Sequence, residues 1–252
     1  MSIQYCSDLH LEFRENKNFL KENPIEPVGE VLLLAGDILP FALHRQSYAF
    51  IDYVADNFEA VYWIPGNHEY YGFDAAEVAN PLFEKIRSNV FLVNNQVIPY
   101  KNINFICSTL WSHISPQNEW DLQQSISDFT TIRWKGKRFT PAHFNQLHET
   151  DLTFIKTAVI DNADATNIIV THHVPTLLNY PPHYKGSVIN EAFATELYDF
   201  IEVSNAGYWI YGHHHWNAPG FKIGNTMMLT NQLGYVRNNE HGAFIRRVVL
   251  EV

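Results

Sequence analysis

Val31-Leu32-Leu33-Leu34-Ala35-Gly36-Asp37 decides how this chain is read. Five consecutive apolar residues without alternation are the pattern of a strand buried on both faces, inside a sheet covered by other layers. The run stops at a glycine and a carboxylate. A carboxylate at the end of a buried strand is costly unless hydrogen bonds or a cation satisfy it. The same grammar recurs on either side. Ile3 to Ser7 leads into Asp8-Leu9-His10, and Ala60 to Ile64 leads through Pro65 into Gly66-Asn67-His68-Glu69. Asn167 to Thr171 leads into His172-His173, and Tyr208 to Tyr211 into Gly212-His213-His214-His215. Five strand ends therefore offer carboxylates, imidazoles and one carboxamide, which together point to a metal site.

Between these strands the periodicity predicts helices at about Arg45 to Asn57, Asp74 to Ser88, Pro141 to Ile160 and Asn190 to Val203. Val90 to Val93 is a further strand. Val97 to Tyr100 and Ile103 to Cys107, parted by Lys101-Asn102, read as an antiparallel hairpin. Residues 111–140 are irregular and rich in Trp, Ser and Gln, a long connection of the kind that often carries function. Three short strands complete the chain. Mixed βαβ units and late hairpins fit two sheets sandwiched between helices better than one open parallel sheet. With no repeat, low-complexity tract or linker composition, residues 1–252 are expected to form a single domain.

Composition sets outer bounds. The chain has 252 residues, 46% of them apolar, enough for a substantial core. A formal net charge of −10 and the lack of a basic run argue against a broad grip on nucleic acid or an anionic membrane. Cys6 and Cys107 both fall in strands and are expected to be buried, reduced thiols. No stretch approaches the ~20 apolar residues of a membrane span, and a strand from the second residue leaves no room for a signal peptide. The expected location is the cytoplasm.

Asp8 and His10, two apart in an extended strand, face one side and can converge on one cation; His213 and His215 repeat that spacing. Oxygen and imidazole donors without thiolate suit Mn, Fe, Zn or Co. Six or seven candidate ligands exceed the needs of one ion. Two ions about 3.5–4 Å apart, sharing one carboxylate, would use them all and could activate a water between them.

The ordered blocks D-x-H, G-D, G-N-H-E, H and G-H-x-H closely resemble those of the calcineurin-like metallophosphoesterase superfamily, and span positions 8 to 215. The resemblance implies a four-layer αββα sandwich of two mixed β-sheets with a dinuclear site at the strand ends. It implies that Asp8, His10 and His215 hold one divalent metal, that Asn67, His172 and His213 hold the second, and that Asp37 bridges them. His68 would contact the phosphoryl oxygens or protonate the leaving group. His172 is preferred to His173 as the ligand because it is the first residue after the strand; His173 and His214 would orient neighbours or pack. Thr109 to Ser112, Ser127 to Arg133 and Asn231-Gln232-Leu233-Gly234-Tyr235 resemble a bacterial branch of predicted phosphohydrolases.

Two departures narrow the field. Phosphoprotein phosphatases continue the second block as G-D-x-x-D-R-G, whereas here Ile38-Leu39-Pro40-Phe41-Ala42 follows and the arginine is missing. Purple acid phosphatases place a tyrosine ligand where Pro40 stands. The resulting expectation is a metal-dependent phosphoester hydrolase, using a hydroxide held between two Mn, Fe or Zn ions and leaning toward diesters of small substrates. A phosphomonoesterase of the same fold, a catalytically silent protein-binding scaffold and a metal-storage protein remain as alternatives. Asn67, His68, Asp128, Arg133 and His113 are candidates for the substrate cleft, while Tyr70, Tyr71 and Trp111 read as core or rim. Pro181-Pro182-His183-Tyr184 is expected near the mouth, without assigned chemistry.

Overall fold

The computed structural model describes residues 1–43 and 49–252. Fourteen strands and six α-helices are found among them. In chain order they are β1 Ser2–Cys6, α1 Arg14–Glu22, β2 Val31–Ala35, α2 Ala49–Asn57, β3 Ala60–Ile64, β4 Leu82–Lys85, β5 Val90–Asn94, β6 Gln96–Tyr100 and β7 Ile103–Ser108. There follow α3 Glu119–Ser125, α4 Asp128–Thr131, β8 Arg133–Trp134, β9 Lys137–Arg138, α5 Pro141–Asp161, β10 Thr166–Thr171, α6 Tyr198–Val203, β11 Tyr208–Ile210, β12 Phe221–Ile223, β13 Thr226–Leu229 and β14 Val249–Glu251.

Two six-stranded sheets run in the orders β14-β1-β2-β3-β5-β4 and β12-β13-β11-β10-β7-β6, with β8-β9 a separate hairpin. In each sheet the inner four strands are parallel, and the two edge strands pair antiparallel. Alternation along β2 shows how the layers arise. Val31, Leu33 and Ala35 point into a core shared with Phe105, Val170 and Ile210 of the second sheet. Leu32 and Leu34 point outward, into a cluster containing Leu20 of α1 and Ile51 and Val54 of α2. On the far face of the second sheet, Ile155 and Val159 of α5 and Ile201 of α6 pack on Ile106, Ile169 and Trp209. The result is the expected αββα sandwich, with the parallel strand ends of both sheets emerging on one side. Both cysteines are buried, and among the described residues no helix is long and apolar enough to cross a membrane.

Three expectations need correction. The helix expected over 74–88 does not form: Asp74 accepts a hydrogen bond from the Ala76 N–H over a single turn at Ala75–Glu77, and Leu82–Lys85 instead pairs with β5. Pro81, lacking an N–H and restricting Asn80 before it, blocks helix propagation there. The helix expected over 190–203 is split, because Val174 exchanges backbone hydrogen bonds with Phe193 and Thr195 and holds that stretch extended. Helix α1 was not anticipated; its sequence is polar, with Asn16 and Leu20 its only buried residues. The part of the expected second helix before Ala49 lies outside the described residues, apart from which α2 ends at Asn57 as expected. Residues 111–140 hold α3, α4 and the β8-β9 hairpin rather than an irregular loop.

Leu33 is fully buried between the sheets. Replacing it with alanine is expected to cost about 2–5 kcal/mol, measurable as a lower urea midpoint with the far-ultraviolet spectrum retained.

Candidate metal centre

The five motif blocks converge where the parallel strands end, the usual place for ligands in such sheets. Asp8, His10 and His215 present ligand atoms within 4.8 Å of one another, as do Asp37, His172 and His213. Asp37 lies between the two groups: Oδ2 is 3.7 Å from His10 Nε2 and Oδ1 is 3.4 Å from His172 Nε2. The Asn67 carboxamide oxygen is 3.2 Å from His172 Nε2. His173 points elsewhere, against Trp111 and Phe144, and neither ring nitrogen has a hydrogen-bond partner.

Each imidazole is held from behind. His172 Nδ1 donates to the Ala35 carbonyl at 2.9 Å, and His213 Nε2 lies 3.3 Å from the Ala192 carbonyl. His10 Nδ1 meets Glu12 Oε1 at 3.2 Å, and His215 Nδ1 meets Glu240 Oε2 at 2.6 Å. An acceptor behind each ring places the proton there and leaves the opposite nitrogen to ligate. Those opposite nitrogens face one another: His10 Nε2 to His215 Nε2 at 3.0 Å, and His172 Nε2 to His213 Nδ1 at 3.1 Å. Lone pairs cannot converge so closely without positive charge between them. Without a cation only protons can supply it. Burial opposes charge on His172, yet Asp37 raises its pKa to about 9; burial likewise opposes charge on His215, yet Asp8 and Glu240 raise it to about 10. Burial, together with the neighbouring His173 and His172, keeps His213 neutral. The donor set fits divalent cations.

The backbone is bent to this purpose. Asp8, His10, Asp37, His213 and His215 all adopt positive φ, from 47° to 80°, a left-handed conformation that costs a non-glycine residue about 1 kcal/mol or more. The glycine before Asp37 is required: Gly36 has φ +89°, and a Cβ there would strike the His172 ring. At Gly66 a Cβ would strike Asp37 Oδ1 and the same ring.

Glu69 is the residue of the G-N-H-E block that sequence reasoning left without a role. Its carboxylate accepts from the backbone N–H groups of Asp37, Ile38, Leu39 and Gly66 and from Trp63 Nε1, at 2.6–3.1 Å. Burial and the Asp37 charge push its pKa up to about 7, but five donors and no acceptor suit the ionised form.

His68 sits at the edge of the centre. Its Nδ1 is 2.8 Å from Glu12 Oε1, and its Nε2 lies 3.2 Å from the Tyr235 hydroxyl. Burial opposes its protonation, while Asp37 and Glu12 raise its pKa above the usual value. Tyr71 stacks on the ring at 4.1 Å.

The remaining candidates divide. Asp128 lines the cleft, but its carboxylate is buried and accepts from Asn67 Nδ2 at 2.9 Å and from Tyr71 Oη at 2.7 Å, so it aims the Asn67 oxygen at His172. Arg133 is exposed in the β8-β9 hairpin and His113 is exposed beside His148; neither lines the cleft. Tyr70 and Trp111 belong to the core, whereas Tyr71 reaches the cleft. His214 is buried near Gln232. Glu12 and Glu240 were missed, and Gln232 was quoted in its block without a role. Glu12 had one available signal, its place two residues beyond His10 on the same strand-end segment.

The sequence profile of calcineurin-like phosphoesterases matches residues 1–217. The chain belongs to this family of metal-dependent phosphoester hydrolases. It is 31% identical over 265 aligned positions to the uncharacterized protein L509 of Acanthamoeba polyphaga mimivirus, covering 94% of this chain and 93% of that one. Among solved structures it is similar to the phosphopantetheinyl hydrolase of Mycobacterium tuberculosis, with a TM-score of 0.67, 16% identity, and 94% and 90% of the two chains covered. At that identity the likeness is one of fold.

Glu69→Gln places an NH2 group against backbone donors. It is expected to cost about 2–4 kcal/mol and to lower metal uptake, read by urea unfolding and by elemental analysis after dialysis; unchanged values in both would remove Glu69 from this role.

Proposed function

We propose that the protein is a dinuclear phosphoesterase that prefers small phosphodiesters, with Asp8, His10 and His215 holding one divalent ion, Asn67, His172 and His213 the other, and Asp37 serving both. The observation that carries this reading is the set of four imidazoles, each fixed from behind by an acceptor, whose free nitrogens converge beside a shared carboxylate. Mn, Fe or Zn suits these oxygen and nitrogen donors. Bound divalent cations supply Lewis acidity toward the phosphoryl oxygens and ease deprotonation of water at the site.

The chain's own groups do the rest. His68 carries a proton at Nε2, on the side of the ring that faces the cleft, and passes it to the leaving oxygen. Glu12, bonded to Nδ1, keeps the ring oriented and stabilises its charged form. Asp128 holds the Asn67 amide nitrogen so that the oxygen faces His172 and would be free to ligate a cation there. The diester preference rests on charge. Among the described residues lining the cleft there is no Lys or Arg, while Asp37, Asp128 and Glu240 are present. A phosphodiester brings one negative charge and a monoester nearly two, and no Lys or Arg among the described residues lining the cleft meets the second.

The test is hydrolysis of bis(p-nitrophenyl) phosphate against p-nitrophenyl phosphate after reconstitution with manganese. Faster diester turnover, abolished by chelation and restored by metal, is expected; full activity in stripped protein would sink the metal-dependent reading. Asp37→Asn is expected to lose metal and activity together. His68→Ala should keep the metals while kcat falls about 10²- to 10⁴-fold. Glu12→Gln should show a smaller loss with two parts: one acting through His68, which grows as the leaving group becomes poorer and vanishes in the His68→Ala background, and one acting through His10, which persists there and is read as lower metal content.

A further inference from the structure

The cleft beside the histidines has a volume of about 720 Å³, far more than a phosphoryl group fills. Its outer wall is aromatic, formed by Tyr180, His183, Tyr184, Phe193 and Trp216. The His183 ring lies 4.1 Å from that of Tyr184 and 5.8 Å from that of Trp216, approaching the latter edge-on. Tyr184 and Trp216 each remain 41% exposed. Large aromatic rings left open to water at a cleft mouth lose hydrophobic stabilisation that a ligand could restore.

This wall is tied to the candidate metal centre. Phe193 stacks on His213 at 4.5 Å and 26°. Trp216 follows His215 directly, and Gln232 clamps the segment from three sides. Its Oε1 accepts from the His215 N–H at 2.6 Å, its Nε2 donates to the Trp216 carbonyl at 3.1 Å, and its backbone exchanges two hydrogen bonds with the Asn217 side chain. The Trp216 backbone is thereby preset relative to the ligand His215, which lowers the ordering cost of binding.

We propose that this wall is a subsite for a planar heteroaromatic ring of nucleobase type, carried by the ester whose phosphoryl group binds at the histidines. The inference rests on the phosphoesterase reading and names its substrate class. Flat rings with polar edges suit stacking of a base, which is worth about tenfold or more in affinity. A polyol such as glycerol has no face to stack. An anionic lipid surface would meet no cationic side chain in the described cleft lining and a chain of net charge −10.

The experiment uses a pair of probes that differ only in the base: adenosine 5′-monophosphate and ribose 5-phosphate, titrated by calorimetry into manganese-loaded protein. Expected is binding at least about tenfold tighter for the nucleotide, with the ratio falling below about threefold in Trp216→Ala and in Tyr184→Ala at unchanged metal content. Equal affinities in the wild type, or a ratio that survives the Trp216→Ala/Tyr184→Ala double substitution, would overturn the subsite. So would Trp216-dependent sedimentation with phosphatidylcholine–phosphatidylserine vesicles in place of a base preference. The ratio does not depend on turnover: a protein that keeps it but hydrolyses no ester refutes the phosphoesterase reading alone. One that hydrolyses the aryl diester with a ratio near one refutes the subsite alone.

Discussion

A buried carboxylate bonded, among the described residues, by neutral N–H donors organises the strand ends. Glu69 draws in four backbone N–H groups and one indole N–H. Removing a carboxylate from water costs several kcal/mol, and only charge-assisted hydrogen bonds of good geometry offset it. Here those bonds come from the loop after β2, the loop after β3 and Trp63 within β3. Glu69 therefore fixes the distance between the segments carrying Asp37 and Asn67 without calling on a cation. The Phe41 N–H, bonded to the Glu69 carbonyl at 2.7 Å, extends the same junction. The two ligand loops are one preformed unit.

That unit explains how the remaining ligands tolerate strain. Five candidate ligands sit at positive φ, and each would relax if its neighbours allowed. Hydrogen bonds hold them in place. The His213 N–H donates to both Asp8 oxygens at 3.1 Å, the His68 N–H to Asp37 Oδ1 at 2.9 Å, and the His10 N–H to the Asp37 carbonyl at 2.9 Å. Backbone groups of one block thus bond the carboxylate or carbonyl of another. The His213–Asp8 bonds also join the two sheets, alongside their shared core.

The candidate ligands were legible as a cluster because each block stands at the end of a strand whose apolar run announces itself. A glycine-carboxylate or glycine-histidine pair after a short apolar run marks a placement as well as a residue type. The groups behind the ligands were not legible, because they come from distant places. Asp128 is 61 residues from the Asn67 it orients, and Glu240 is 25 from His215. Asp128 and Arg133, five residues apart and both expected at the cleft, are separated because α4 turns Asp128 inward and the following hairpin carries Arg133 outward. Pattern reading failed where periodicity was overridden by tertiary pairing, as over 74–88, where an apparent helix was drawn into the edge of a sheet.

Charge at the centre follows from the same architecture. Asp8, Asp37, Glu12 and Glu240 surround the converging imidazoles, and no Lys or Arg among the described residues lines the cleft above them. Burial opposes ionisation of each carboxylate, yet the adjoining histidines hold all four below their ordinary pKa values. The protons raised onto His172 and His215 sit on the nitrogens that would bind cations. Protons and divalent ions therefore compete for the same lone pairs, and loading the site with metal expels the protons. Divalent ions bound there would add positive charge to an otherwise acidic pocket and favour an anion. With no Lys or Arg among the described residues lining the cleft, His68 is left as the protonatable group beside the converging imidazoles that is not itself a candidate ligand. The missing arginine of the second block and the acidic lining of the cleft are thus two sides of one arrangement.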